Sequence, residues 1–156
     1  GSRVRPVPKR TPNDPRRSGG DPAIDRAAFG LGAGAGGAAR PAAPTIAGIR
    51  KAVETRNAKS LKALYASNAV LTIIDTENPP SKPRTIKGAA DIGAFLDDVY
   101  SRDMKHTLES GVADSRHLAF IEGCSYPDGT HVIASAMAEL GPTGIVKQTV
   151  VQAWDN

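Results

Sequence analysis

"AKSLKALYASNAVLTIID", residues 58–75, changes its period halfway along. Leu61, Leu64 and Tyr65 recur at helical spacing, so "AKSLKALYA" (58–66) reads as a short helix with one apolar face. From Asn68 the chain turns β-branched, with Val70, Thr72, Ile73 and Ile74, and "NAVLTIID" (68–75) reads as a strand. The neighbours on either side decide which class of fold this helix and strand belong to.

Upstream, Thr45 is suited to cap a first helix over "IAGIRKAVETRN", where Ile46, Ile49 and Val53 share a face and Asn57 ends or re-caps it. Downstream, "TENPPSKPRT" (76–85) holds three prolines and predicts a loop, since proline cannot donate to a ladder. A third helix is expected from about Ala89, with Ile92, Phe95, Leu96 and Val99 inward. Four strands then follow, "KHTLESGVA", "LAFIEGCSYP", "HVIASAMAEL" and "IVKQTVVQAW", separated by turns at Asp114-Ser115-Arg116, Pro127-Asp128-Gly129 and Gly141 to Gly144. Helices first and antiparallel strands last make an α+β plan, with the helices on one face of a sheet.

The charge divides the chain in two. Residues 1–44 hold 8 Lys/Arg against 3 Asp/Glu, 7 of the 12 prolines and 8 of the 16 glycines, whereas residues 45–156 are close to neutral. Such a segment buries too little apolar surface to offset its ordering entropy, so 1–44 is expected to be a disordered basic tail and 45–156 the domain. Gly1-Ser2 reads as the remnant of a cleaved affinity tag. Gly32, Gly34 and Gly37 match the G-x-G-x-x-G spacing of dinucleotide-binding loops, but no strand precedes them and Pro41 and Pro44 interrupt the stretch where the helix should open. A linker is the better reading, and no cofactor is expected.

With a single cysteine, Cys124, no disulfide can form within the chain. No apolar run is long enough to span a membrane. The tail lacks the interleaved aromatics that stack on bases, which disfavours nucleic acid as a partner. Alanine- and arginine-rich wording suggests a bacterial source, and the expected location is the cytoplasm.

The order α-α-β-loop-α-β-β-β-β over about 110 residues resembles the nuclear transport factor 2-like superfamily, in its SnoaL-like and ketosteroid-isomerase-like branch. "LYASNAVLT" (64–72), "IKGAADIGAFL" (86–96), "MKHTLESGVADSRHLAF" (104–120), "YPDGTHV" (126–132) and "TGIVKQTVVQAWD" (143–155) carry the resemblance, which covers 45–156. It implies a cone: three helices packed on a strongly curved, mainly antiparallel sheet, with a cavity open at one end and often a homodimer formed through the sheet.

The resemblance also implies where isomerase chemistry would reside, and there the chain departs from it. The strand carboxylate that takes the proton falls on Ile73, the helix tyrosine on Ile49, and the late-strand acid on Ala136 or Met137. Aliphatic groups cannot exchange protons, so the resemblance does not carry steroid isomerisation by that route onto these residues, and the departure at the late-strand acid puts polyketide cyclisation in doubt. Alternation along "HVIASAMAEL" places Val132, Ala134, Ala136, Ala138 and Leu140 on one face, where the small side chains either leave room for an apolar ligand or pack tightly under a helix.

The expected function is therefore binding of a small apolar molecule, with Tyr65, Ile73, Val132, Ala134, Ala136, Ala138 and Trp154 as pocket residues. One alternative is an isomerase- or cyclase-like enzyme using Asp75 or His106 in a rearranged site; another is a dimerisation or protein-interaction module. For Asp75 a turn-forming role competes with catalysis, and for His106 a structural one. No histidine pair or histidine–carboxylate pair shows metal-ligand spacing in sequence, so no metal is expected. Cys124 reads as a small buried residue.

Overall fold

The computed structural model describes residues 43–155. The tail expected over 1–44, except its last two residues, lies outside them, as does the Gly32–Gly34–Gly37 spacing.

Three helices precede or interrupt the strands: α1 (Ile46–Glu54), α2 (Ala58–Lys62) and α3 (Ala89–Ser101). Thr45 caps α1, its Oγ1 accepting from the Gly48 amide at 3.1 Å, and Asn57 caps α2 by accepting from the Ser60 amide at 3.0 Å. Ile49, Ala52 and Val53 of α1 and Ile92, Gly93, Leu96 and Tyr100 of α3 are buried. Phe95 and Val99, expected inward, are half-buried against the core.

Six strands form one sheet in the order β2-β1-β6-β5-β4-β3: β1 (Tyr65–Ile74), β2 (Arg84–Lys87), β3 (Lys105–Ala113), β4 (His117–Ser125), β5 (His131–Gly141) and β6 (Gly144–Trp154). Only β1 and β6 run parallel; the other neighbours are antiparallel. The helices pack on this sheet, α1 against β3 and α3 against β1, and the core lies between the layers. Among the described residues no helix is long and apolar enough to cross a membrane.

Two local expectations are corrected. The second helix stops at Lys62, and Tyr65 opens β1 rather than closing the helix. The Ile145 amide of β6 donates to the Leu64 carbonyl at 2.7 Å, so parallel pairing claims the backbone just where side-chain spacing alone still looks helical. The segment 76–85 is not all loop, because Arg84–Lys87 pairs antiparallel with β1, Thr72 opposite Thr85. All three prolines precede that strand, and β2 lies at the sheet edge, so none of them removes a ladder donor.

Gly144 ties the β5–β6 turn to the start of β1. Its φ is +132°, and a Cβ there would run into the Leu64 carbonyl, which is backbone and cannot swing aside. Gly144→Ala is expected to destabilise the domain by about 2 kcal/mol or more, read as a lowered urea midpoint.

Candidate ligand site

Strand register builds the site row by row, since alternate side chains of β4, β5 and β6 face the helices. The deepest row is Leu118, Ala138 and Gln148, and the next is Phe120, Ala136 and Val150, with Ile73 of β1 beside Val150. The third row is Glu122, Ala134 and Gln152, and the outermost is Cys124, Val132 and Trp154. The inner two rows are apolar except for Gln148, the third row carries Glu122 and Gln152, and the mouth is mixed.

Two adjoining spaces lie over these rows. An inner cavity of about 90 Å³ is lined by Ile49, Tyr65, Ile73, Ala136 and Gln148 among others. An outer space of about 370 Å³ is lined by Asp75, Met104, Cys124, Val132 and Trp154. Ile73, Phe95, Val99, Glu122, Ala134 and Gln152 line both, so the polar row forms the threshold between them.

Glu122 is the carboxylate of this threshold. It is buried, and the Tyr100 hydroxyl donates to both of its oxygens at 3.1 Å. His106 Nδ1 lies 2.7 Å from Oε1, while the other ring nitrogen, Nε2, is buried without a partner among the described residues. Cys124 Sγ stands 3.3 Å from the same Nδ1 and 3.7 Å from Oε1. Register explains the cluster: His106 is paired with Cys124 across β3 and β4, and Glu122 is two residues from Cys124 on the same face. Tyr100 comes from the last turn of α3, its ring 4.6 Å from that of His106.

These surroundings shift the neighbouring groups. Burial, reinforced by the Glu122 carboxylate, raises the Tyr100 hydroxyl far above its usual range, so it stays a donor. Burial raises Tyr65 likewise, and its hydroxyl donates to Gln148 Oε1 deep in the cone. The Cys124 thiol is pushed up to about 12, by burial first and by Glu122 second.

The expected residues fall in different places. Tyr65, Ile73, Ala134 and Ala136 line the inner cavity, and Val132 and Trp154 the outer space. Ala138 is buried in the hydrophobic core. His106 stands behind Glu122 with its side chain buried. Asp75 is at the mouth, where Oδ1 accepts from the amides of Glu77 and Asn78 at 2.9 and 2.8 Å and from Asn78 Nδ2 at 2.9 Å; this is turn-forming geometry. Ile49, Ile73 and Ala136, onto which the isomerase roles carry over, all line the cavity, whereas Met137 is 57% exposed.

Glu122, Tyr100, Gln148 and Gln152 escaped the sequence reading. A signal for Glu122 was present: alternation in "LAFIEGCS" puts it on the face of Leu118 and Phe120, a charge among apolar neighbours. Folding brings His106, Glu122 and Cys124 together with their ligand atoms within 4.8 Å of one another, which no spacing along the chain could reveal. Chemically, the threshold offers a carboxylate acceptor held by a phenol and an imidazole, facing an apolar chamber.

Known structures share this architecture. A proposed ketosteroid isomerase from Kribbella flavida superimposes with a TM-score of 0.55 at 18% identity, over 70% of this chain and 74% of that one. The fold is nuclear transport factor 2-like. Two further proteins of that fold, both of unknown function, align similarly. One, from Mesorhizobium loti, gives a TM-score of 0.57 at 14% identity, over 67% of this chain and 84% of its own. The other, from Burkholderia xenovorans, gives 0.56 at 13% identity, over 70% and 79%. No protein-family model and no curated protein matches the sequence. At these identities the nuclear transport factor 2-like likeness extends to the fold alone.

The raised thiol gives a chemical check. A group pushed up to about 12 stays protonated at pH 8, where an unperturbed thiol at about 8.5 is already partly thiolate. Iodoacetamide, with a chelator present, should alkylate Cys124 roughly a thousandfold more slowly in the native protein than in urea, as followed by mass spectrometry.

Proposed function

We propose that the cone binds a small apolar molecule bearing one polar, hydrogen-donating end. What carries this reading is the placement of Glu122 and Gln152 on either side of Ala134, at the threshold of a mostly apolar chamber whose inner polar groups, Tyr65 and Gln148, are paired with each other. The alanine leaves the gap between them open, so a donor lying over it meets the carboxylate while the apolar body occupies the chamber and mouth. The inner cavity alone would hold on the order of six waters, so only one end of a ligand enters it and the rest lies in the outer space.

Two-dimensional NMR of the labelled protein with a panel of steroids and polyketide-like aromatics tests this. Binding is expected to shift Ala134, Ala136, Gln152 and Trp154. Glu122→Gln should weaken affinity about tenfold to a hundredfold, the size of a hydrogen bond to a charged group, and Ala134→Leu should abolish binding. Shifts absent from the cone, or an affinity indifferent to Glu122→Gln, would overturn the proposal. Turnover of any panel member, lost in both Glu122→Gln and His106→Ala, would extend it to acid–base catalysis with Glu122 in the role first expected of Asp75.

A second reading, dimerisation through the sheet, is favoured by the opposite face. Ile133, Met137 and Val151 are 48%, 57% and 50% exposed there, and Ile121 and Val151 flank Ser135 in one row. Adjacent apolar residues on an open sheet face suit burial against a second copy. Sedimentation is expected to show a concentration-dependent dimer that Ile133→Lys with Met137→Lys converts to monomer without loss of fold.

A further inference from the structure

We infer that His106, Glu122 and Cys124 form a binding site for a divalent transition-metal ion of the zinc type, one coordination position of which opens to the mouth of the cone. This goes beyond the ligand-binding proposal and does not depend on it.

The three side chains supply imidazole nitrogen, carboxylate oxygen and sulfur, the mixed donor set that zinc and cobalt accept and that magnesium or calcium would not favour. Their spacing is close to what such an ion needs. At bond lengths of about 2.0–2.1 Å to nitrogen and oxygen and about 2.3 Å to sulfur, a tetrahedral ion holds its ligand atoms about 3.3–3.6 Å apart. Nitrogen to sulfur is 3.3 Å, sulfur to oxygen 3.7 Å, and nitrogen to oxygen 2.7 Å. Only the last must open, by roughly half an ångström, which a rotation of the Glu122 carboxylate supplies.

Placement on paired strands keeps these atoms together. His106 and Cys124 are cross-strand partners, and Glu122 shares the face of Cys124, so ladder register rather than a loop sets the geometry. Tyr100 already donates to the carboxylate and would steady it as a ligand. Glu122 and Cys124 both line the outer space, which provides an entry path and lets the thiol proton leave to solvent as sulfur binds, while His106 changes tautomer, Nδ1 giving up the proton it presents to Glu122 and Nε2 taking one. Three protein ligands with a fourth position facing a cavity is the arrangement of an exchangeable site, not a closed structural one. His106 Nε2 has no acceptor among the described residues, and the lack of that support costs about 10–100-fold in affinity, so binding in the micromolar range is expected.

Co²⁺ alone, titrated into the chelator-treated full chain, is the test. Cys124 is the chain's one cysteine, so a thiolate-to-cobalt charge-transfer band reports this site and no other. One equivalent should produce that band together with visible bands of tetrahedral intensity. Cys124→Ser should remove the charge-transfer band, Glu122→Gln should weaken binding tenfold or more, and the exposed-histidine variants His117→Ala and His131→Ala should leave it unchanged. X-ray absorption on the wild-type complex gives a readout that needs no variant, namely one sulfur at about 2.3 Å among nitrogen and oxygen neighbours. Absence of the sulfur band at millimolar Co²⁺, or a first shell without sulfur, would overturn the assignment while leaving the organic-ligand proposal standing.

Discussion

A slip of one residue between β4 and its neighbours would carry Glu122 out of the cone and bring Ile121 in. A like slip of β5 would exchange Ala136 for Met137, and one of β6 Gln152 for Val151, because strand side chains alternate with a period of two. The chamber, its polar threshold and the exposed outer face all follow from this register. The buried face holds it in place. Leu118 and Ala138 sit opposite each other in the deepest row, both about 1% exposed, and their loss to solvent would accompany any slip.

Within that frame Glu122 is the demanding residue. A buried carboxylate is tolerated only when hydrogen-bonded, so its presence constrains the groups around it. Tyr100 reaches it from the end of α3 and His106 from β3, which couples a helix terminus to two strands through one side chain. The same constraint serves both proposals. A carboxylate held in place at the edge of an apolar chamber can receive a ligand's donor, and with Cys124 two residues along the strand it can share a metal ion.

Much of the fold was legible in the residues. Helical spacing in "IAGIRKAVE", β-branched runs and turn signals between the last four strands each rest on local chemistry, and those elements appear with small shifts at their ends. The errors arose where distant partners intervene. Tyr65 has helical spacing with Leu61, yet β6 captures the backbone beside it; Arg84–Lys87 looks like loop until β1 is there to pair with it. The site was less legible. Alternation set Ala134, Ala136 and Ala138 on one face but could not separate the first two, which line the cavity, from Ala138, which packs in the core, and Glu122 lay in a strand read mainly for its apolar residues.

By itself the sequence determined the cores of all three helices and of the five longer strands and which of their faces are apolar, since propensity, period and side-chain chemistry act over a few residues. Only the tertiary structure decided that Glu122 and Gln152 frame Ala134, that Asp75 serves a turn, and that His106 meets Cys124. These depend on which strands become neighbours and in what register. His106 and Cys124 stand eighteen positions apart along the chain and 3.3 Å apart in space, a proximity that pairing in the sheet creates and local spacing cannot encode.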